Sequence, residues 1–100
     1  MRNSEIADFF DLLGSLSELD GAVVYKVIAY RKAAERFRSA PESIERMAAE
    51  GRLTELDDIG GTIAAKVDEL VATGTMAALE KLRAVYPDGL VEMMRVPGVG

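Results

Sequence analysis

One hundred residues leave room for a single core, and a make-up of 49% apolar and 29% charged residues excludes both a disordered tail and a fibrous repeat. Cysteine and histidine are absent, so disulfides, thiolate chemistry and the commonest general base and metal ligand are excluded too. The formal net charge of −5 argues against broad attraction to nucleic acid, yet residues 26–38 carry Lys26, Arg31, Lys32, Arg36 and Arg38 against Glu35 alone, so that segment is +4 in a chain otherwise −9.

Ile6, Phe9, Phe10, Leu13 and Leu16 follow helical spacing and predict a first helix from about Ser4 to Leu19, capped by Asn3 or Ser4. Asp20-Gly21 stops it. A second helix is expected over about 22–38, with Val23, Val27, Tyr30, Ala34 and Phe37 on one face and Lys26 beside Tyr30 at the rim. Ser39-Ala40-Pro41-Glu42 reads as a capping box opening a third helix, with Ile44, Met47 and Ala48 inward and Gly51 ending it. A fourth runs over about 62–73 through Ile63, Ala64, Val67, Leu70 and Val71, closed by Gly74. Thr75 is placed to cap a fifth, through Met76, Leu79, Leu82 and Val85, and Asp88 a last short one through Leu90, Met93 and Met94.

No segment alternates with period two, and no apolar run approaches the roughly 20 residues that span a bilayer. The N-terminus turns acidic too early for a secretory signal. The expectation is an all-α bundle of four to five short helices, monomeric and without membrane contact.

Two connections share one pattern. Leu56-Asp57-Asp58-Ile59-Gly60 leads into Gly61-Thr62-Ile63, and Val96-Pro97-Gly98-Val99-Gly100 repeats it in fuller form. Each reads as the bend of a helix-hairpin-helix unit. Glycines allow positive φ and close approach, and the following helix start offers unpaired N–H groups to a phosphate. The first unit spans about 53–73. The second, over 87–100, breaks off at Gly100, which reads as a truncated motif following a domain of residues 1–86.

The string Ala29-Tyr30-Arg31-Lys32-Ala33-Ala34, with Lys26 four residues before the tyrosine, resembles the eight-kilodalton domain of family X DNA polymerases. The resemblance covers nearly the whole chain. It continues through Ile63-Ala64-Ala65-Lys66-Val67-Asp68-Glu69-Leu70 and Ala72-Thr73-Gly74, and ends in Pro87-Asp88-Gly89-Leu90 and Val96-Pro97-Gly98-Val99-Gly100. That ending is similar to bacterial members, which also carry a phosphoesterase domain.

The resemblance implies a fold and a task. The domain binds the 5′-phosphate side of gapped DNA in base-excision repair, in the bacterial cytoplasm at the nucleoid. Its partners are the polymerase and phosphoesterase domains of a longer chain. The implied DNA contacts are Lys26, Tyr30, Arg31, Ile59, Gly60, Gly61, Thr62, Gly98 and Gly100. A lysine at the position of Lys66 is the Schiff-base nucleophile in members with abasic-site (5′-dRP) lyase activity. No metal or other cofactor is expected on these residues, and Mg or Mn belongs to the polymerase domain, whose carboxylates are not in this sequence.

Three positions depart from the pattern. Asp57-Asp58 stands for the usual Pro-Gly, Thr62 for a frequent phosphate-binding lysine, and Thr75-Met76-Ala77-Ala78 for a stretch where basic residues are common. Two carboxylates beside a phosphate oppose what hairpin N–H groups supply. Two other functions therefore stand beside DNA binding: the lyase, and a protein-interaction module that kept the fold without DNA affinity.

Overall fold

The computed structural model describes residues 1–86: five α-helices, one short 3-10 turn and, among these residues, no strand. Helix α1 spans Asn3–Leu19, α2 Val24–Ser39, α3 Ile44–Ala49, α4 Gly61–Thr73 and α5 Ala77–Val85, with the 3-10 turn at Leu53–Glu55. The expected helix after Asp88 and the second hairpin, with Gly98 and Gly100, lie outside the described residues.

Helices α1 and α2 form the central pair. Arg31 meets Glu18 at 3.0 Å, and Arg38 meets Asp11 at 3.1 Å and Asp8 at 2.6 Å. Partner numbers fall as arginine numbers rise, so the helices are antiparallel. Gly14 is what lets them close. A Cβ there would lie 3.2 Å from Arg31 Cγ and 3.6 Å from Tyr30 Cβ. Below that contact, Phe10 meets Phe37 edge-on with centroids 5.3 Å apart, and Tyr30 tilts against Phe10 at 6.4 Å. Such ring pairs contribute about 0.5–1.5 kcal/mol beyond their buried area. Ile6, Leu13, Leu16, Ile44, Met47, Val67, Leu70, Met76 and Leu79 are among the other buried core residues.

Several helix ends differ from the sequence expectation. Asn3 is the first residue of α1 rather than its cap, which is Arg2. The Asn3 side chain instead reaches across the fold. Its Oδ1 accepts the Ile44 amide at 2.8 Å, and its Nδ2 donates to the Glu42 carbonyl at 2.8 Å. It thus ties the α2–α3 connection to α1, over a distance in sequence that no local rule scans.

Ser39 belongs to α2, and Ser43 caps α3 by accepting the Arg46 amide at 3.2 Å. The Ser39–Glu42 box is therefore not formed; Pro41 disfavours helix at Ala40, and the next serine takes the role. Thr75 does not cap α5 either. Its hydroxyl donates to Glu80 at 2.7 Å, and the Ala77 amide is taken by Glu69 from α4 at 2.9 Å. Val23 and Val85, expected inward, are 69% and 63% exposed. Val23 is the N-cap of α2, with non-helical backbone, so it never joins the helix face. Val85 sits on the last turn of α5, beyond the packed Leu79.

No helix among the described residues is long and apolar enough to cross a membrane.

Candidate nucleic-acid interface

The first hairpin is built on a ladder of three apolar side chains. Leu53 and Ile59 are buried and Leu56 packs partly against the core. This three-residue spacing pins the loop, so the intervening residues face outward. Ile59, implied as a DNA contact, is therefore an anchor: its side chain is 4% exposed and its amide already donates to the Leu56 carbonyl at 3.2 Å.

The positive φ of the bend falls on Asp58, at +68°, and not on a glycine. Aspartate tolerates this region better than most residues, and at that position it replaces the expected glycine. Gly60 is extended and Gly61 starts α4. Their value is different: a Cβ at either would meet nothing within 4 Å, so open space lies against the backbone. No side chain caps α4, and the amides of Gly61, Thr62 and Ile63 have no acceptor among the described residues. These orphan donors lie at the positive end of a 13-residue helix.

The acidic bend is partly offset. Asp58 meets Arg36 at 3.5 Å, and Lys32 and Arg36 line with it a small cavity of about 190 Å³. Asp57 has no ion pair among the described residues.

A second feature lies between α1, α2, α4 and α5. A groove of about 460 Å³ is lined by Lys26 and Tyr30 of α2, Lys66 of α4 and Lys81 of α5, with Asp20, Glu69 and the small Ala77 and Ala78. The structure thus brings together Lys26, Tyr30 and Lys66, three of the residues implied by the resemblance. Lys66 is half-buried and Lys26 and Lys81 are exposed. Tyr30 is only 3% exposed, and its burial raises the phenol above its ordinary value, so it lines the groove as a neutral hydroxyl.

Both carboxylates of the groove are engaged by neutral donors. Glu69 caps α5, and Asp20 accepts the Tyr86 hydroxyl at 3.0 Å, a bond that also raises the Tyr86 phenol. Arg31 is absent from this groove. Its guanidinium is held by Glu18 on α1, and its stem covers Gly14.

Arginines and lysines are sorted completely. All seven described arginines make ion pairs with carboxylates. None of the four lysines does so among the described residues, and three of them line the same groove. Lys81 is the functional candidate that sequence reading missed. Its nearest signal was a lysine one helical turn after Ala77, on the face left open by two alanines.

The family model of the helix-hairpin-helix domain matches residues 1–76. The chain belongs to that family. The match contains the complete first hairpin and the start of α4 that the geometry singles out. Over 100 residues the chain is also 29% identical to the DNA polymerase/3′-5′ exonuclease PolX of Bacillus subtilis; the matched stretch is all of this chain and 17% of that protein. This helix-hairpin-helix domain therefore spans about a sixth of the length of the relative it matches.

Proposed function

We propose that this chain is a DNA-binding domain that takes the 5′-phosphate side of a gapped strand. The observation that carries the reading is the pairing of two anion-seeking surfaces. Among the described residues the amides of Gly61, Thr62 and Ile63 have no acceptor, open space lies beside Gly60 and Gly61, and a groove beside the same helix holds lysines with no ionic partner. Amides and ammonium groups hold phosphate oxygens without reading a base. Gly60 and Gly61 admit the strand, Thr62 offers its amide and hydroxyl, and Lys26 and Lys66 neutralise the phosphate. In the longer protein, a cytoplasmic repair polymerase acting at the nucleoid, polymerase and phosphoesterase domains would work on the end so held.

Fluorescence anisotropy on gapped and intact duplexes tests this. Binding should be tighter to a short gap with a 5′-phosphate and should weaken steeply with salt. Equal or absent binding to all duplexes at low salt contradicts it and favours an interaction module without DNA affinity.

The position of Lys66 supports a second reading, a lyase acting on an abasic 5′ end. Its Nζ would attack the C1′ aldehyde of the open sugar and lose water to form an imine. Loss of a C2′ proton would then break the C3′–O bond and release the strand. Borohydride trapping on such a substrate tests this. An adduct that survives Lys66→Ala removes Lys66 from the role.

A further inference from the structure

We infer that Lys81, on α5, is a specificity residue for a terminal phosphate monoester, supplying from outside the hairpin unit the cation that Thr62 does not. The inference rests on the DNA-end reading above.

Lys81 is placed for this by its surroundings. Ala77, Ala78, Lys81 and Leu82 present one face of α5 to the groove, and the two alanines leave space that the lysine reaches into. The first turn of α5 is fixed by Glu69, which accepts the Ala77 amide at 2.9 Å. The same bond engages the Glu69 carboxylate, which also lines the groove. Asp20 is likewise held by Tyr86. Glu80, adjacent in sequence, pairs with Arg83 at 3.7 Å and accepts the Thr75 hydroxyl. Glu69, Asp20 and Glu80 each have another partner, and Lys81 makes no ion pair among the described residues.

The ligand chemistry follows from charge. Three ammonium groups share the groove with two carboxylates. An internal phosphodiester brings one negative charge, whereas a terminal monoester carries about −1.5 to −2 near pH 7, with a second ionisation near pH 6. A groove with an excess of cations gains more from the second charge. The preference for a phosphorylated end should therefore shrink as pH falls below about 6.

The test compares the 100-residue chain on three DNAs: a gap with a 5′-phosphate, the same gap with a 5′-hydroxyl, and an intact duplex. Lys81→Gln should cut the phosphate-over-hydroxyl preference by about tenfold, the scale of one charge-assisted hydrogen bond, and weaken hydroxyl-end binding far less. Lys81→Arg should retain most of the preference. Lys32→Gln, outside the groove, should retain all of it. Circular dichroism checks that each variant is folded. A folded Lys81→Gln with the full preference overturns the role of Lys81 while leaving the DNA-end reading intact. A native chain with no preference between the two ends overturns both. A Lys81→Gln that unfolds, together with a Lys81→Arg that is folded and has lost the preference, also overturns it, since charge is then not what matters.

Discussion

Besides Lys32 and Arg36 beside the hairpin bend, helix α2 sends cations to two contrasting destinations. On the side facing α1, Arg31 and Arg38 are locked to Glu18, Asp8 and Asp11. On the side facing α4 and α5, Lys26 has no carboxylate partner among the described residues and shares a groove with Lys66 and Lys81. The two side chains suit these tasks. Guanidinium is a planar fork that matches carboxylates, and ammonium is a compact charge on a mobile stem that adapts to a ligand. Counting both as one basic segment of +4 conceals the division. The arginine side holds the helices in register, and the lysine side is left for an anion.

The comparison predicts that lysine changes move binding and α1–α2 changes move stability. The largest effect is expected from replacing Lys26, Lys66 and Lys81 together by Gln. Affinity for a 5′-phosphorylated gap should drop by about a hundredfold or more, with a shallower salt dependence and little change in melting temperature. Anisotropy across a salt series measures it.

The opposite signature is expected of Gly14→Val. Its side chain would enter the contact with Arg31 and Tyr30, lowering stability by about 1–3 kcal/mol in urea unfolding, with unchanged affinity per folded molecule. Asn3→Ala should cost about 1–2 kcal/mol, because the Ile44 amide loses its acceptor.

Smaller effects sharpen the boundary. Asp58→Gly removes a carboxylate from the bend at a backbone angle glycine prefers, so DNA affinity should rise a few-fold while stability changes by less than about 1 kcal/mol. Arg38→Gln should cost less than about 1 kcal/mol and leave binding unchanged, since its carboxylate partners are exposed.

Tyr30 adds a pH dependence. Burial raises its folded ionisation above the unfolded value of about 10. Its contribution is therefore complete below that value and is lost as pH rises through it, so thermal stability should decline in alkaline solution. A Tyr30→Phe variant should lose that part of the decline.

The apolar stripes of α1, α2 and α4 were legible because helix burial imposes a period on sequence. Phe10, Leu13, Phe37, Val67 and Leu70 are where that period puts them. The first hairpin was legible from its glycines, although Asp58 carries the strained angle. Long-range partners were not legible. The Asn3 bridge to Ile44 and the Glu69 cap on Ala77 depend on tertiary placement, and Ser39 and Thr75 satisfied local cap rules at sites where other groups took the role. The groove was half legible. Lys26, Tyr30 and Lys66 carry the family pattern, whereas Lys81 joins them only through the packing of α5 on α1.

The most direct test labels the four lysines as dimethylamines and follows their NMR signals as gapped DNA is added, once with a 5′-phosphate and once with a 5′-hydroxyl. The account predicts that Lys26, Lys66 and Lys81 respond more strongly to the phosphorylated end, and that Lys32 responds equally to both. Indistinguishable responses of the groove lysines to the two ends, or a phosphate-specific response at Lys32 alone, would contradict it.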